Sequence, residues 1–436
     1  MKLSGKNIVV FIVLAGAVAL AYYLPCLRYN FYQQMMDGLM LDDAQIGLIG
    51  SLVNVINTVC YPIGGVLANK FRTKTLIVIT LAAFLILSVW YAFAQGFVML
   101  LIIHLLFAFF GIATLWSAYL SAVRGLADER NQSKMFGWNE GTRGLIQFAI
   151  SLAFVALMGI ALNAAQGFTY SMLFAAGVCA VFLVLAIVFM DGKPKVDEQD
   201  AAEKADEEPV EKYTVVDVLK NPGVWVVTFL IMCAYVFWTM GNSYLSQYTV
   251  DVLGLDPGTA STIGTVRTYL IVAIAGLIGG VLLDKFPYKG RTFIVLLAID
   301  IVLIVGVMIT GEQLMLCVAL TICISFIANI MKTTYWSTMG EAGIPAAMTP
   351  LATGIISFIC FMPDWVYPVV FGNWLTDARA ADGGVAGAAV AGVYQNIFLI
   401  IIAFGVLGMV VSFIHWKRAQ KLEAAGVIEI DHHGKK

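Results

Sequence analysis

Four basic side chains lie within long apolar stretches of the sequence: Arg28, Arg143, Arg267 and Lys332. An ionised group at membrane depth is costly unless it faces water or a partner, so each of these side chains is expected to have a functional or structural role. A guanidinium grips a carboxylate, phosphate or sulfonate through two parallel hydrogen bonds, which a lysine ammonium cannot do. Arg28 and Arg267 are therefore predicted to bind an anion.

These two arginines lie in different halves of the chain. Arg28 follows Pro25 past the middle of the first apolar stretch, and Arg267 lies about a third of the way along the eighth. Together they would form a clamp for an anion. The competing interpretation is a structural ion pair, with these acids as partners: Asp37 or Glu140 for Arg28, and Asp364 or Asp251 for Arg267.

Lys332 and Arg143 lie closer to the predicted cytoplasmic ends of their stretches. Their long side chains can extend to the lipid headgroups. Both are also candidates for gate residues that pair with acids when the cytoplasmic side closes. Glu140 and Arg143 are three residues apart on one helical face, so they can also satisfy each other.

Asp300 and Asp364 are acids within apolar stretches and are candidates for proton coupling. A carboxyl group in a medium of low dielectric constant favours its neutral form, so it can load and release a proton as its access to water alternates. Asp364 lies between two helix-breaking prolines, beside the hydroxyl of Tyr367. Asp300 is predicted to bind a neighbouring helix instead. The remaining predicted ligands are polar or aromatic residues of three stretches: Tyr32, Asn54, Asn57, Trp238 and Asn242.

Composition identifies the elements that position these residues. The chain is 60% hydrophobic and only 12% charged, which excludes a soluble domain. Runs of about 20 apolar residues cross a bilayer as helices. The sequence therefore predicts an all-α membrane protein. We expect twelve spans: 8–36, 44–68, 75–95, 97–122, 138–162, 168–190, 222–250, 259–283, 292–310, 312–338, 348–373 and 390–416.

An acidic stretch divides the spans into two sets of six. We expect a bundle at 1–190, a cytoplasmic linker at 191–221 with a short interfacial helix near its end, a second bundle at 222–416 and a tail at 417–436. Most of the 26 basic residues fall in the termini, the linker and alternate loops. Since basic residues accumulate in cytoplasmic loops, both termini are predicted to be cytoplasmic, in a multi-pass protein of the inner membrane.

Residues 64–71 (GGVLANKF) recur as 279–286 (GGVLLDKF), each copy closing an apolar stretch. The repeat resembles the signature of the major facilitator superfamily, which implies twelve helices in two pseudo-symmetric halves. Glycines there allow helices to approach closely. In that family the motif acts as a conformational latch, which the resemblance carries to these residues: Gly65, Asn69, Lys70, Gly280, Asp284 and Lys285. Asn69 departs from the pattern because it carries no charge.

A narrower resemblance covers residues 22–31 and the pair Trp138 and Asn139, which are similar to the organophosphate:phosphate antiporter branch. It implies that Arg28 binds a phosphate group in a central cavity. That branch has a second arginine on its seventh helix, whereas residues 235–248 contain no basic residue.

The leading hypothesis is a secondary active transporter of a small organic anion, a carboxylate, sulfonate or phosphate ester, working by alternating access. It is expected to act as a monomer in the lipid bilayer, with a proton or exchanged anion as coupling ion, and with no nucleic acid partner. Neither a cofactor, a metal nor enzymatic activity is expected, because all seven cysteines lie in apolar stretches and no P-loop motif occurs. The alternatives are a transporter-like anion sensor and an efflux facilitator for neutral or cationic compounds.

Overall fold

The structure is a computed structural model that describes residues 5–124, 126, 132–190, 213–272, 274–275, 286–310, 313–345 and 348–430. Within these ranges the chain is helical and contains no strand. Eleven helices there are long and apolar enough to cross a membrane. The all-α prediction is confirmed. The predicted eighth span, 259–283, is described only as far as residue 275.

The helices of the first half follow one another through short connections. They are α1 (Gly5–Tyr23), α2 (Tyr32–Leu39), α3 (Asp43–Lys70), α4 (Thr73–Ala92), α5 (Phe97–Phe109), α6 (Ser117–Arg124), α7 (Gln132–Ile160) and α8 (Ala164–Phe189).

The second half begins with a short helix where the sequence predicted one. Its described helices are α9 (Val215–Lys220), α10 (Pro222–Asp251), α11 (Pro257–Thr265), α12 (Lys289–Ile309), α13 (Leu314–Thr334), α14 (Thr338–Glu341), α15 (Thr349–Cys360), α16 (Pro363–Ala381) and α17 (Ala388–Ala424).

The first membrane helix is interrupted, although the sequence predicted one continuous span. Residues Leu24–Tyr29 form a 3₁₀ segment, and the backbone of Cys26 leaves helical geometry at φ −112° and ψ 20°. Pro25 lacks an amide hydrogen and its ring excludes the preceding turn of an α-helix, which accounts for the break. Arg28 lies in this irregular segment.

Two other membrane helices contain π-helical segments, at Phe110–Trp116 and Val266–Leu270. A π-helix carries one extra residue per turn, which rotates the side chains that follow it and often marks a functional site. The second segment contains Arg267. Both arginines that the sequence singled out therefore lie where the regular helix is interrupted.

The α-carbon contacts divide the chain into two compact units that do not follow the sequence halves. Unit 1 contains residues Met1–Glu207, Pro257–Leu270 and Tyr367–Thr376, and unit 2 contains the rest. Two segments from the second half of the sequence thus belong to unit 1. There Ala44 donates its backbone amide to the Thr376 hydroxyl at 2.9 Å, and Val369 donates to Ser51 Oγ at 3.2 Å.

Two glycines allow the segment from α16 to pack closely on α3 within unit 1. A β-carbon on Gly47 would lie 2.1 Å from the carbonyl oxygen of Pro368, and one on Gly372 would lie 2.4 Å from that of Asp43. Both clashes are with backbone, which cannot rotate away. The contact therefore depends on the absence of side chains at these positions.

Replacing Gly47 by alanine is expected to destabilise the protein by about 1–3 kcal/mol, because the added methyl group separates the two helices. A melting curve in detergent measures the effect. Gly177→Ala on α8 is the matched control, since nothing lies within 4 Å of its added carbon, and it should be neutral or slightly stabilising. Equal melting temperatures for the two variants would show that the contact is dispensable.

The first turn of the last helix, α17, is capped by a side chain that precedes the helix in the sequence. Asp382 accepts hydrogen bonds from the backbone amides of Ala389 at 3.1 Å and Val390 at 2.9 Å. These bonds, chiefly that from Val390, hold the pKa of the Asp382 carboxyl below its ordinary value. The helix then continues to Ala424, beyond residue 416 where the sequence predicted its end.

Candidate functional site

Arg28 is buried in unit 1 between two tyrosine rings. Its Nη2 donates to the hydroxyl of Tyr367 at 3.4 Å and to that of Tyr29 at 3.5 Å. Its Cζ lies 4.7 Å from the centre of the Tyr29 ring and 5.9 Å from that of Tyr367. Since the faces of aromatic rings attract cations, the two tyrosines stabilise the position of the guanidinium.

A glycine of α3 makes room for this guanidinium. A β-carbon on Gly50 would lie 2.8 Å from Nε of Arg28 and 2.9 Å from its Cζ. Any larger residue would displace the arginine. The arginine side chain therefore lies against the bare backbone of α3, a contact that no side-chain pattern predicts.

The acids proposed as structural partners of Arg28 are engaged elsewhere. Asp37 accepts a hydrogen bond from Gln33 at 2.9 Å on the exposed side of α2, and Glu140 pairs with Arg143. The interpretation of Arg28 as a structural cation held by either acid is wrong. Arg28 instead donates to the hydroxyls of Tyr29 and Tyr367.

Arg267 is fully buried in the π-helical segment of unit 1. The next residue, Thr268, hydrogen-bonds to the amide oxygen of Asn30 at 3.1 Å, or to its amide nitrogen at the same distance if the amide is rotated. Thr265 bonds to Ser151 at 2.6 Å. The structure thus ties the segment containing Arg267 to the one containing Arg28.

The acid Asp251, considered as a partner for Arg267, belongs to another cluster in unit 2. Arg379 donates to its Oδ2 at 2.6 Å, Tyr394 to the same oxygen at 2.7 Å, and Gln247 to Oδ1 at 3.0 Å. Both charged side chains are largely buried. The alternative interpretation in which Asp251 pairs with Arg267 is therefore wrong, and Asp251 has a structural role.

The other predicted ligands of unit 1 differ in their burial and in their hydrogen bonding. Tyr32 is buried and donates to the carboxylate of Asp43 at 2.9 Å, which fixes the start of α3. Asn54 and Asn57 lie half-buried on α3, one turn apart. The two asparagines are thus accessible in part, whereas the hydroxyl of Tyr32 is already engaged.

In unit 2, neighbouring side chains of α10 contact an acid, Asp364, and a cation, Lys332. Asp364 is buried and accepts hydrogen bonds from Tyr235 at 2.6 Å and Thr239 at 2.8 Å. Lys332 lies over the ring of Trp238, with Nζ 3.2 Å from its centre. The rings of Tyr235 and Trp238 are 5.6 Å apart. Lys332 thus binds an aromatic face rather than extending towards the headgroups.

Asn242 lies one turn beyond this cluster on α10 and is buried. Tyr235 and Trp238, on the preceding turns of the same helix, remain half-buried.

Arg143 and Glu140 satisfy each other on α7. Glu140 Oε2 accepts from Arg143 Nε at 3.0 Å and from its Nη2 at 2.5 Å, while Arg143 Nη1 donates to Gln147 at 3.3 Å. Tyr119 donates to Asn139 at 2.9 Å and also lies 3.4 Å from Glu140 Oε1. The pair is therefore closed on itself, as an intrahelical ion pair.

Asp300 was predicted to bind a neighbouring helix, and this prediction is wrong. The residue lies in the middle of α12, fully buried, and among the described residues neither carboxylate oxygen accepts a hydrogen bond. A buried polar group without a hydrogen-bond partner is costly.

The predicted latch lies largely outside the described residues. Gly65, Asn69 and Lys70 belong to the last turns of α3, where Lys70 is exposed. The second copy, with Gly280, Asp284 and Lys285, is not among the described residues. Within the described ranges, no cluster of three histidine, cysteine or acidic side chains could hold a metal ion, and the seven cysteines are free.

Sequence reasoning missed the residues that position the two charged groups. Tyr367 and Gly50 hold Arg28, and Tyr235 and Thr239 hold Asp364. The sequence places Tyr367 between Pro363 and Pro368, which indicates only that it is a neighbour of Asp364. No signal in the sequence pointed to Gly50.

The fold agrees with the comparisons to known proteins. A family model described as "Major Facilitator Superfamily" matches residues 7–363. The chain belongs to the major facilitator superfamily. It is therefore a transporter of small molecules rather than an enzyme.

Among its relatives, inner membrane protein YqcE of Escherichia coli (strain K12) is 25% identical over 90% of both chains. The hexuronate transporter of Bacillus subtilis (strain 168) is 26% identical over 65% of both. A solved structure of a bacterial homologue of the human lysosomal transporter Spinster superposes with a TM-score of 0.74, at 13% identity over 96% of this chain and 99% of the other. These likenesses and the apolar helices place the superfamily member in the inner membrane as a multi-pass protein.

Proposed function

We propose that this superfamily member is a secondary active transporter of a small organic anion, working by alternating access. The observation that carries the proposal is the buried guanidinium of Arg28, held between the hydroxyls and rings of Tyr29 and Tyr367. These contacts hold the guanidinium in a fixed position. An anion that arrives in this site gains two charge-assisted hydrogen bonds from the guanidinium.

Arg267 supplies the second positive charge of the proposed clamp. It is buried, and the contact of Thr268 with Asn30 links its segment to that of Arg28. Two like charges in a protein interior repel each other, and an anion between them offsets the repulsion. Substrate binding would therefore favour closure of the site, which the empty site resists.

A carboxylate is the anion that we favour. The relative from Bacillus subtilis is named as a hexuronate transporter, and a hexuronate is a sugar that carries a carboxylate. A phosphate ester is less favoured, because residues 235–248 lack the arginine that the organophosphate:phosphate antiporter branch has on its seventh helix.

Asp364 is the proposed proton-coupling residue. Two hydroxyl donors, from Tyr235 and Thr239, stabilise its ionised form, while its burial favours the neutral form. Opposing effects of this kind suit a group that must both bind and release a proton. Asp300 is the less favoured candidate, because it has no hydrogen-bond donor among the described residues. We assign Lys332, Glu140 and Arg143 to gating.

Transport in purified form tests the proposal. Proteoliposomes are loaded with buffer, and uptake of radiolabelled glucuronate is measured with and without an inward proton gradient. Empty liposomes are the control. We expect saturable uptake that the gradient accelerates and that unlabelled carboxylates inhibit.

Two outcomes would overturn the proposal. Binding of carboxylates, sulfonates or phosphate esters in a thermal-shift screen without any flux would indicate an anion sensor. Flux of neutral or cationic compounds that no anion inhibits would indicate an efflux facilitator.

A further inference from the structure

We propose that Tyr22, Tyr61 and Trp116, with the Glu140 and Arg143 pair, form a subsite for the hydroxylated ring of a sugar acid. The inference rests on the proposed function, because the carboxylate of the same molecule would bind Arg28. It adds the substrate class: a cyclic, hydroxylated acid rather than an open-chain one.

Trp116 is the centre of an aromatic cluster in unit 1. Its ring centre lies 5.7 Å from that of Tyr22 and 6.3 Å from that of Tyr61, both edge to face, and 5.8 Å from that of Tyr119. Tyr119 is fully buried and packs as a core residue, whereas Tyr22 and Trp116 are half-buried and Tyr61 is 39% exposed. Three of the four rings therefore retain accessible surface.

That surface faces a polar environment, because charged groups accompany it. The guanidinium of Arg143 lies 5.7 Å from the centre of the Tyr22 ring. The side chain of Glu140, its ion-pair partner, is 45% exposed. An ionised pair with exposed surface faces water rather than lipid. The cluster thus belongs to a hydrated face of the bundle.

The charged pair does not provide a bare cation. All three guanidinium nitrogens of Arg143 donate to Glu140 or Gln147. What the pair offers is the exposed carboxylate of Glu140, whose two oxygens have more acceptor positions than Arg143 and Tyr119 occupy. Hydroxyl groups of a ligand are suitable donors for it.

Aromatic faces beside a hydrogen-bond acceptor match the two surfaces of a sugar ring. Its C–H face packs on an aromatic ring, and its hydroxyl groups donate to a carboxylate at the edge. Pockets for small ligands commonly combine an apolar wall with a few such polar groups. An open-chain acid presents no continuous apolar face to the tryptophan.

The subsite also lies at a suitable distance from Arg28 along the chain. Tyr22 precedes Arg28 by six residues, about 9–12 Å at the rises of α- and 3₁₀-helices. The arginine side chain and one sugar ring together bridge such a length. A single sugar acid can therefore place its carboxylate at the arginine and its ring at Trp116.

Binding to the full-length protein in detergent, measured by titration calorimetry, tests the inference. The probes are glucuronate, which is cyclic, and gluconate, which is open-chain with the same number of carbons and a carboxylate. Trp116→Ala and Tyr61→Ala remove surface from the subsite, and Trp116→Phe retains a ring. Trp90→Ala, at a half-exposed tryptophan on α4 outside the cluster, is the matched control.

We expect each alanine variant of the cluster to weaken glucuronate binding about tenfold or more and gluconate binding less than about twofold. Trp116→Phe and Trp90→Ala should leave both affinities near the original. Tyr61→Ala keeps the test available if Trp116→Ala does not fold, since Tyr61 is exposed. Equal losses for the two probes, or unchanged glucuronate binding, would overturn the subsite.

Failure of the inference differs from failure of the proposed function. Original protein that binds gluconate but not glucuronate would overturn the ring subsite alone. Original protein that binds no carboxylate, sulfonate or phosphate ester would overturn the proposed function, and the subsite with it.

Discussion

Replacing Arg28 by glutamine is expected to lower the rate of anion uptake at least about 100-fold while the protein still folds. The loss corresponds to about 3 kcal/mol or more for a charge-assisted, bidentate contact at a buried site. Glutamine fits the space beside Gly50, because its side chain is shorter than that of arginine. Initial uptake rates in proteoliposomes, normalised to reconstituted protein, measure the effect.

Arg28→Lys distinguishes charge from geometry. Lysine keeps the positive charge but cannot form two parallel hydrogen bonds, so we expect uptake to stay well below that of the original protein. Arg291→Gln is the matched control, since this arginine is exposed and contacts the ring of Trp416. Unchanged uptake by Arg28→Gln would refute the role of Arg28 in substrate binding.

Replacing Arg379 by alanine is expected to destabilise unit 2 by about 3–5 kcal/mol, because it leaves the buried charge of Asp251 without its cation. The guanidinium lies 2.6 Å from the Asp251 carboxylate, and the side chains are 13% and 3% exposed. Tyr394 and Gln247 remain as donors, but neither carries a charge. Thermal unfolding in detergent should show a large fall in melting temperature.

The double variant Arg379→Met with Asp251→Leu provides the decisive comparison. It removes both charges and should be more stable than Arg379→Ala alone, since no buried charge is left unpaired. Lys289→Ala is the control for an ion pair with a longer separation, because its nitrogen lies 3.7 Å from Glu341. A single variant as stable as this control would show that Asp251 does not require its partner.

The apolar stretches were sufficient to predict the helices, because a membrane span must satisfy its own backbone hydrogen bonds. Residue type also identified Arg28 and Asp364 as candidates for a functional role, since charge at membrane depth is costly wherever it occurs. The same reasoning placed Arg143 with Glu140, since three residues along a helix bring side chains together regardless of tertiary structure.

Contacts between residues that lie far apart in the sequence could not be predicted in this way. Asp251, one of the two acids considered as a partner of Arg267, binds Arg379 instead, and Asp300 has no donor within the described part of the chain. Charge type limits which residues can pair, but which of them meet depends on the rotation and depth of each helix. Those were altered by the break after Pro25 and by the π-helical segments, which apolar periodicity does not reveal.

The sequence by itself determined an all-helical membrane protein of the major facilitator superfamily, with arginines and acids within its spans. Hydrophobicity and covalent spacing suffice for these properties because both act locally. Tertiary structure alone decided that Tyr367 contacts Arg28, that Gly50 makes room for the guanidinium, and that Tyr235 and Thr239 hold Asp364. Those contacts join residues from distant parts of the chain, and only the packing of the helices brings them within bonding distance.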